Sequence, residues 1–467
     1  MRTFKPYTPE QMYLLPPNLA EWLPEGHLAS FISDVVDQLD LREIFAAYEN
    51  HDDRGQPPHH PAMMSKILIY GYCTGKSSSR KIEKATWEDV AYRVLSADQH
   101  PDHDCISEFR RRHLLVLPGL FLQVLKLCQA AGLVKLGHVA LDGTKVKANA
   151  SKHKAMSYDR MGKAEEQLEK EIAKLLEESE AVDQAEDEKY GKGKRGDDLP
   201  EELQRRESRL IKIREAKAVL EAEAKEAAEN KAKEVEEKLA KRAEEEARTG
   251  KKTKGKPLVA PNHEMAMPKA KAQKNFTDPE SRIMKDGASK GFEQAYNAQI
   301  VVDSKAQIIV AADITQESND KKQLVPMMLK AKENLGSFPE NVSADAGYFS
   351  EANITAKELE DLNLYVPPDR QKHGEQALTV EEEEEVVAEG LSVAEKMRNK
   401  LKTESGHEVY RMRKAIVEPV FGQIKEARGF RRFSMRGMTK VKAEWTLVCM
   451  THNLLKLFRS GWVPQTA

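Results

Sequence analysis

The 467-residue chain is short of the features that usually announce a protein class. Its four cysteines, Cys73, Cys105, Cys128 and Cys449, are scattered without a CxxC pair, which excludes a disulfide framework and a cysteine-based zinc knuckle. No apolar run approaches the roughly 20 residues that span a bilayer. The opening MRTFKPYTPEQMYLLPP lacks the apolar centre of a secretory signal. These absences predict a soluble intracellular protein with no membrane partner. Net charge is nearly absent as well, at −2, which would suit a nucleic-acid binder poorly if it were spread evenly.

It is not spread evenly. Met161 to Gly250 holds 20 basic and 27 acidic residues, whereas Tyr410 to Lys442 holds ten basic against two acidic. A charged fraction of 32% exceeds the usual ~25%, which implies a highly charged helical segment. A hydrophobic fraction of 40% still allows a core, and the length suits roughly two to four domains.

Residues 18–134 show apolar positions at three- and four-residue spacing, the period of helices. Ser77 to Ser79 and Asp104 are candidate N-caps, Gly75 and Gly132 candidate stops. Residues 1–134 are therefore expected to form an all-helical N-terminal domain. Arg80, Arg110 and Arg111 on its short helices suit either a helix-turn-helix-like DNA contact or the solvated face of a bundle.

Residues 135–155 begin a different pattern, with VALDG a short strand that Asp142-Gly143 ends or bends. Residues 156–268 interrupt it. Leu168, Ile172 and Leu175 make one stripe there, and Leu203, Leu210, Ile213, Leu220, Ala224 and Ala227 another, predicting an antiparallel coiled-coil-like hairpin. Strand patterns resume over 295–303, 306–315, within 340–350 as a short strand ending in Asp345, and over 364–368, with helices between them and a final helix over 442–458. Residues 369–405, acidic and poorly patterned, are expected to be an exposed insertion. With both insertions set aside, residues 269–460 continue the pattern begun at 135, and the fold class is α/β, a mixed sheet with flanking helices.

Two aspartates share a setting. Asp142 in VALDGTK and Asp345 in VSADAGY each follow a short apolar strand and precede a glycine within two residues. A third acid, Glu418 in KAIVEPVFGQIK, lies in the basic C-terminal stretch with Lys425 seven residues on and Lys414 four before. Each alone reads as a turn cap or a surface ion pair. Together they could converge on hard divalent cations, which prefer oxygen ligands, beside a Lys/Arg field suited to a phosphate backbone. Pro419 disfavours helix at Glu418, so the helix either begins at Pro419 or kinks there.

The ordered set LDGTKVKANAS, SADAGYFS and YRMRKAIVEPVFGQIKEARGFRRF resembles bacterial insertion-sequence transposases of the aspartate–aspartate–glutamate (DDE) type, in the branch with a Tyr-Arg-Glu-Lys signature. HPAMMSKILIYGYCTGKSSSRKIE and PDHDCISEFRRRH resemble that branch's N-terminal domain. The resemblance implies a ribonuclease-H-like core with Asp142, Asp345 and Glu418 as catalytic metal ligands, holding two Mg²⁺ or Mn²⁺ ions. It implies DNA strand cleavage and transfer at the element's terminal inverted repeats into target DNA, by a homodimer when joined to DNA ends, in the bacterial cytoplasm with the nucleoid. Lys425 matches the signature lysine, Lys414 stands where the family has arginine, and Arg411 where it has tyrosine, so no tyrosine is given a role. Lys414, Lys425, Arg428, Arg431, Arg432, Arg436 and Lys440 are expected to meet DNA phosphates, together with Arg80, Arg110 and Arg111. A non-catalytic DNA-binding or coiled-coil protein from a decayed element is the alternative, as is a same-fold nuclease that never joins ends.

Overall fold

The computed structural model describes residues 18–49, 57–190, 201–249, 259–285, 291–369 and 391–464. Residues 191–200 and 250–258 of the expected 156–268 insertion, and residues 370–390 of the one expected at 369–405, lie outside them. The chain divides into two units, one of residues 1–148 and 296–467, the other of residues 149–295.

The first unit opens with helices α1 (Leu28–Gln38), α2 (Arg42–Ala46), α3 (Pro61–Cys73), α4 (Ser79–Glu88), α5 (Val90–Leu95), α6 (His103–Arg112) and α7 (Leu117–Ala130). Proline at the first turn of α3 costs no hydrogen bond, and nearly every later residue of that helix is buried. Gly75 and Gly132 adopt left-handed φ of 78° and 68°, as helix stops do. The cap of α6 is Asp102, not Asp104, because its carboxylate reaches the Cys105 amide at 2.6 Å.

Strand β1 (His138–Lys147) follows, and then the second unit begins. There the short antiparallel strands β2 (Ala155–Ser157) and β3 (Gln273–Asn275) flank helices α8 (Tyr158–Tyr190) and α9 (Glu201–Thr249). Met161, Leu168, Leu210, Ile213, Ala216 and Leu220 form the buried seam of the hairpin, with Ile172 partly buried against it. Glu165 pairs with Arg214 and Lys217, and Glu171 with Arg206, so the two helices run antiparallel as their stripes predict. The side chain of Leu203 lies outside the described ones.

Strand β4 (Arg282–Lys285) pairs antiparallel with the first residues of β5 (Phe292–Asp303), whose remainder belongs to the first unit. In that unit come β6 (Ile309–Thr315), α10 (Leu324–Leu335), β7 (Asn341–Ala344), α11 (Glu351–Ile354), β8 (Asn363–Tyr365), α12 (Val393–Lys402), α13 (Glu404–Gly422) and α14 (Met438–Arg459). The sheet runs β5-β1-β7-β8, with β6 antiparallel on β5 and β1, β7 and β8 mutually parallel. This is a mixed α/β fold in the expected element order. Two boundaries differ from expectation. Strand β1 continues through Asp142 and Gly143 to Lys147, because Thr144 and Val146 favour extended chain and Gly143 accepts it. Part of the expected 369–405 insertion is helix α12, started by a capping box of Ser392 and Glu395 and burying Met397 and Leu401.

Helix α14 is buried on nearly all sides, from Val441 to Leu457. It packs on α3 and α7 and on β6, so residues 1–134, expected as a domain of their own, share one compact unit with the sheet. Trp445, fully buried, donates its indole N–H to Gln299 O of β5 at 3.2 Å. A buried polar network ties the same helix to the N-terminal helices. Tyr72 Oη donates to Glu444 Oε1 at 2.8 Å and receives Arg110 Nη1 at 3.0 Å, while Ser434 and Met435 amides donate to Glu444 Oε2 at 2.9 and 3.1 Å.

Arg110 is therefore an interior residue and not the phosphate contact expected of it: its guanidinium also donates to Ser77 O at 2.8 Å. Arg428 turns inward too, donating to Thr451 Oγ1 at 2.7 Å and Val448 O at 3.2 Å, and burial pushes its guanidinium down to about 10. Both sit on amphipathic segments whose buried stripe includes the arginine, which a count of charges cannot distinguish from a solvated face. Cys73, Cys128 and Cys449 are buried, and Cys105 is exposed. No single helix among the described residues is long and apolar enough to cross a membrane.

Candidate active site

Strands β1 and β7 are parallel, with Leu141 opposite Ala344. The next residue after each of these is an aspartate, so Asp142, within β1, lies beside Asp345, the first residue past β7, where neighbouring strands are roughly 4.8 Å apart. Asp142 Oδ1 accepts the Gly143 amide at 2.7 Å, and Asp345 Oδ1 accepts the Gly347 amide at 2.8 Å, capping a short 3-10 turn. Each carboxylate keeps an oxygen for another partner. Asp142 uses its Oδ2 on Arg413 of α13, whose Nη1 lies 3.3 Å away.

A third carboxylate joins them that no pattern in the sequence singles out. Asp320, in the loop between β6 and α10, accepts from Asn297 Nδ2 at 2.6 Å and Gln299 Nε2 at 2.8 Å, both on β5. A Cβ on Gly143 would collide with Gln299 Nε2 and stand 2.9 Å from Asp320 Oδ1; on Gly347 it would stand 3.6 Å from Asp320 Oδ2. The room left by the glycine after each strand aspartate is thus filled by this carboxylate and its carboxamide support. Lys145 Nζ faces the cluster, 3.8 Å from Asp320 Oδ1. Tyr348 beneath it donates to Gln299 Oε1.

The electrostatics follow from that crowding. Burial pushes the Asp142 carboxyl up to about 6; Arg413 works against the rise, and the negative charges of Asp345 and Asp320 add to it. Burial lowers the Lys145 ammonium, and the three aspartates hold it back. Burial raises the Tyr410 hydroxyl, which lies within electrostatic reach of Arg413, Asp345 and Asp142. Half-buried carboxylates that repel one another are the kind of donor set a hard cation relieves.

Helix α13 lines this site through Arg413, Ile416, Val417 and Val420, its buried face. It neither begins at Pro419 nor ends there: Pro419 lies inside it, and residues Gln423–Ala427 continue as one π-helical turn. Glu418 is exposed, five residues and thus about 7.5 Å along the axis from Arg413. It shares a flank with Lys425, whose ammonium donates to Thr144 Oγ1 and, at 3.0 Å, to Lys145 O. The structure therefore brings Asp142 and Asp345 together with Lys425 nearby, and leaves Glu418 exposed, off the helix face that lines the site. Among the described residues no group of three His, Cys, Asp or Glu side chains is gathered closely enough to hold a metal ion.

Of the remaining expected contacts, Lys414, Arg431, Arg432, Arg436 and Lys440 are exposed, with Arg431 paired to Glu426. Arg80 is exposed, and Arg111 is exposed but bonded to Glu108 at 2.8 Å. Asp320, Gln299, Lys145, Arg413 and Tyr410 are the site residues that sequence reasoning missed. Arg413 had a signal: it falls on the same helical face as Ile416, Val417 and Val420, where a charged residue needs a buried partner.

Two segments of the chain match family models. Residues 17–112 match a Transposase domain (DUF772), and residues 370–458 match a Transposase DDE domain. No curated protein matches the chain, and no solved structure does. The two matches support an insertion-sequence transposase of the DDE type.

Proposed function

We propose that this chain is a DNA transposase with a ribonuclease-H-like core, which cuts the ends of its element and joins them to target DNA. The observation that carries the reading is the neighbouring, like-charged pair Asp142 and Asp345 on adjacent parallel strands, with the Asp142 carboxyl pushed up to about 6. Such a pair would suit Mg²⁺ or Mn²⁺, and Glu418, exposed on α13, would complete the set once the helix segment that carries it is brought toward the two aspartates. Bound there, divalent ions would polarise a phosphodiester and its attacking oxygen.

The chain's own groups do the rest. Asn297 and Gln299 hold Asp320 so that the floor of the site cannot collapse onto Asp142. Lys425, anchored on Thr144 and the Lys145 carbonyl, presents its charge beside the aspartates, where it would orient a DNA phosphate. Arg432, Arg436, Lys440 and Lys414 extend that positive surface along the backbone. In cleavage, water attacks phosphorus and a 3′ oxygen leaves; in joining, the freed 3′ hydroxyl attacks a target phosphorus and the target strand's own 3′ oxygen leaves as a hydroxyl. Joining two ends needs two active sites, which favours a homodimer on DNA.

The test is incubation of the purified protein with DNA carrying the inverted repeats that flank its gene, with and without Mg²⁺. Discrete nicks followed by joined products are expected. Nicks that are never joined would make the protein a nuclease, and retarded bands without any cut would make it a DNA-binding protein only.

A further inference from the structure

Pro419 has no N–H, so the carbonyl of Ala415, four residues earlier in α13, loses its helical donor. That carbonyl is met from outside the helix: Gln307 Nε2 donates to Ala415 O at 2.9 Å. Gln307 lies in the turn between β5 and β6 with a left-handed φ of 58°, a conformation in which glycine or asparagine is far more comfortable. Gln307 carries a Cβ in that strained conformation, and its side chain is what meets the helix.

The same residue is locked to α14. Its Oε1 accepts Lys456 Nζ at 2.6 Å, and its backbone carbonyl lies 2.9 Å from His452 Nε2. His452 is fully buried and held neutral, its imidazole pushed down to about 3 by burial first and by Arg428 next. Its other ring nitrogen, Nδ1, lies 3.0 Å from Gln423 Oε1, so the ring sits between the Gln307 carbonyl and the Gln423 carboxamide, and its single N–H donates to one of these two oxygens. Gln423 begins the π-helical turn that carries Lys425. The segment bearing Glu418 is thus gripped three residues before that glutamate and five residues after it. Ala415 is exposed, so water could satisfy its carbonyl; what Gln307 adds is a fixed position.

We propose that Gln307 is a positioning residue for the reaction: it replaces the donor that Pro419 withholds from Ala415 and, through His452 and Lys456, fixes the rotation and depth of the helix segment carrying Glu418 and Lys425. The inference rests on the transposase reading of this site. It gives the proline a role as well. Removing one rung frees α13 to widen into the π turn, and Gln307 makes the loosened segment rigid again.

The test is a double-mutant cycle in the full chain. Gln307→Glu keeps the size and the Lys456 contact but sets a carboxylate against a carbonyl. Single-turnover cleavage is expected to fall at least about tenfold, with DNA affinity held within about twofold. Pro419→Ala returns an N–H to Ala415, so in that background the same Gln307→Glu change should cost less than about threefold. An equal loss in both backgrounds, or a single variant that cleaves like wild type, would overturn the inference. Hydrogen exchange across residues 411–424 gives a second readout, expected to quicken in Gln307→Glu alone. Should wild type fail to cleave at all, the transposase reading fails, while the exchange experiment still decides whether Gln307 holds the helix.

Discussion

Asp142→Asn is expected to lower Mg²⁺-dependent cleavage by on the order of 10³-fold or more while leaving DNA binding nearly unchanged. The same substitution is expected to make the metal-free protein more stable. In the fold the Asp142 carboxyl titrates at about 6, above the ordinary 3.8 of an aspartate. The folded chain therefore holds this proton more tightly than the unfolded chain. The stabilisation from protonation is complete below about pH 4 and is lost as pH rises through about 6. A shift of that size corresponds to at most about 3 kcal/mol. In EDTA at pH 7.5 the D142N variant should melt above wild type, and the gap should close as the pH approaches about 4. Equal melting temperatures at pH 7.5 would show that the carboxylate is not strained by its neighbours. Cleavage that survives the substitution would remove Asp142 from the chemistry.

The second large effect lies away from the site. Glu444→Ala should cost about 3–5 kcal/mol, because it leaves buried Arg110 without the anion opposite it and strands the Ser434 and Met435 amides. Urea unfolding would measure it. Glu444→Gln should cost less, since a carboxamide oxygen still accepts one of those donors. A cost under about 1 kcal/mol for Glu444→Ala would mean that solvent reaches the network.

These two predictions divide along what could be read in the primary structure. The strands carrying Asp142 and Asp345 were legible because short runs such as Val139-Ala140-Leu141 and Val342-Ser343-Ala344 are apolar or small and end in a break. The long helices of the second unit were legible from their repeating leucines. Asp320 was not, because what makes it part of the site is a pair of carboxamides 21 and 23 residues earlier, on a different element. The inward turn of Arg110 and Arg428 was equally hidden, since a guanidinium on an apolar stripe and one on a wet face look alike in a charge count. Pro419 marks a disturbance of the helix in the sequence itself. Its resolution depended on Gln307, more than a hundred residues away, and local propensity has no access to such a partner. Lys152 to Lys154 and the short strands β2 and β3 around them gave no signal, being too polar and too brief to show a period.

The unequal exposure of the four cysteines has a practical consequence. The thiols of Cys73 and Cys128 are pushed up to about 12 by burial, and that of Cys449 is raised by the same cause, so none of them offers a thiolate to a reagent in solution. Cys105, whose thiol is also raised by partial burial and by Asp102, differs in meeting solvent, on the helix that also bears Arg111. A maleimide dye should therefore couple once per native chain, next to the surface expected to grip the DNA end, giving a fluorescent reporter of docking without any engineered handle. Incorporation of more than one dye before unfolding would show that the helices around α14 open far more readily than their packing suggests.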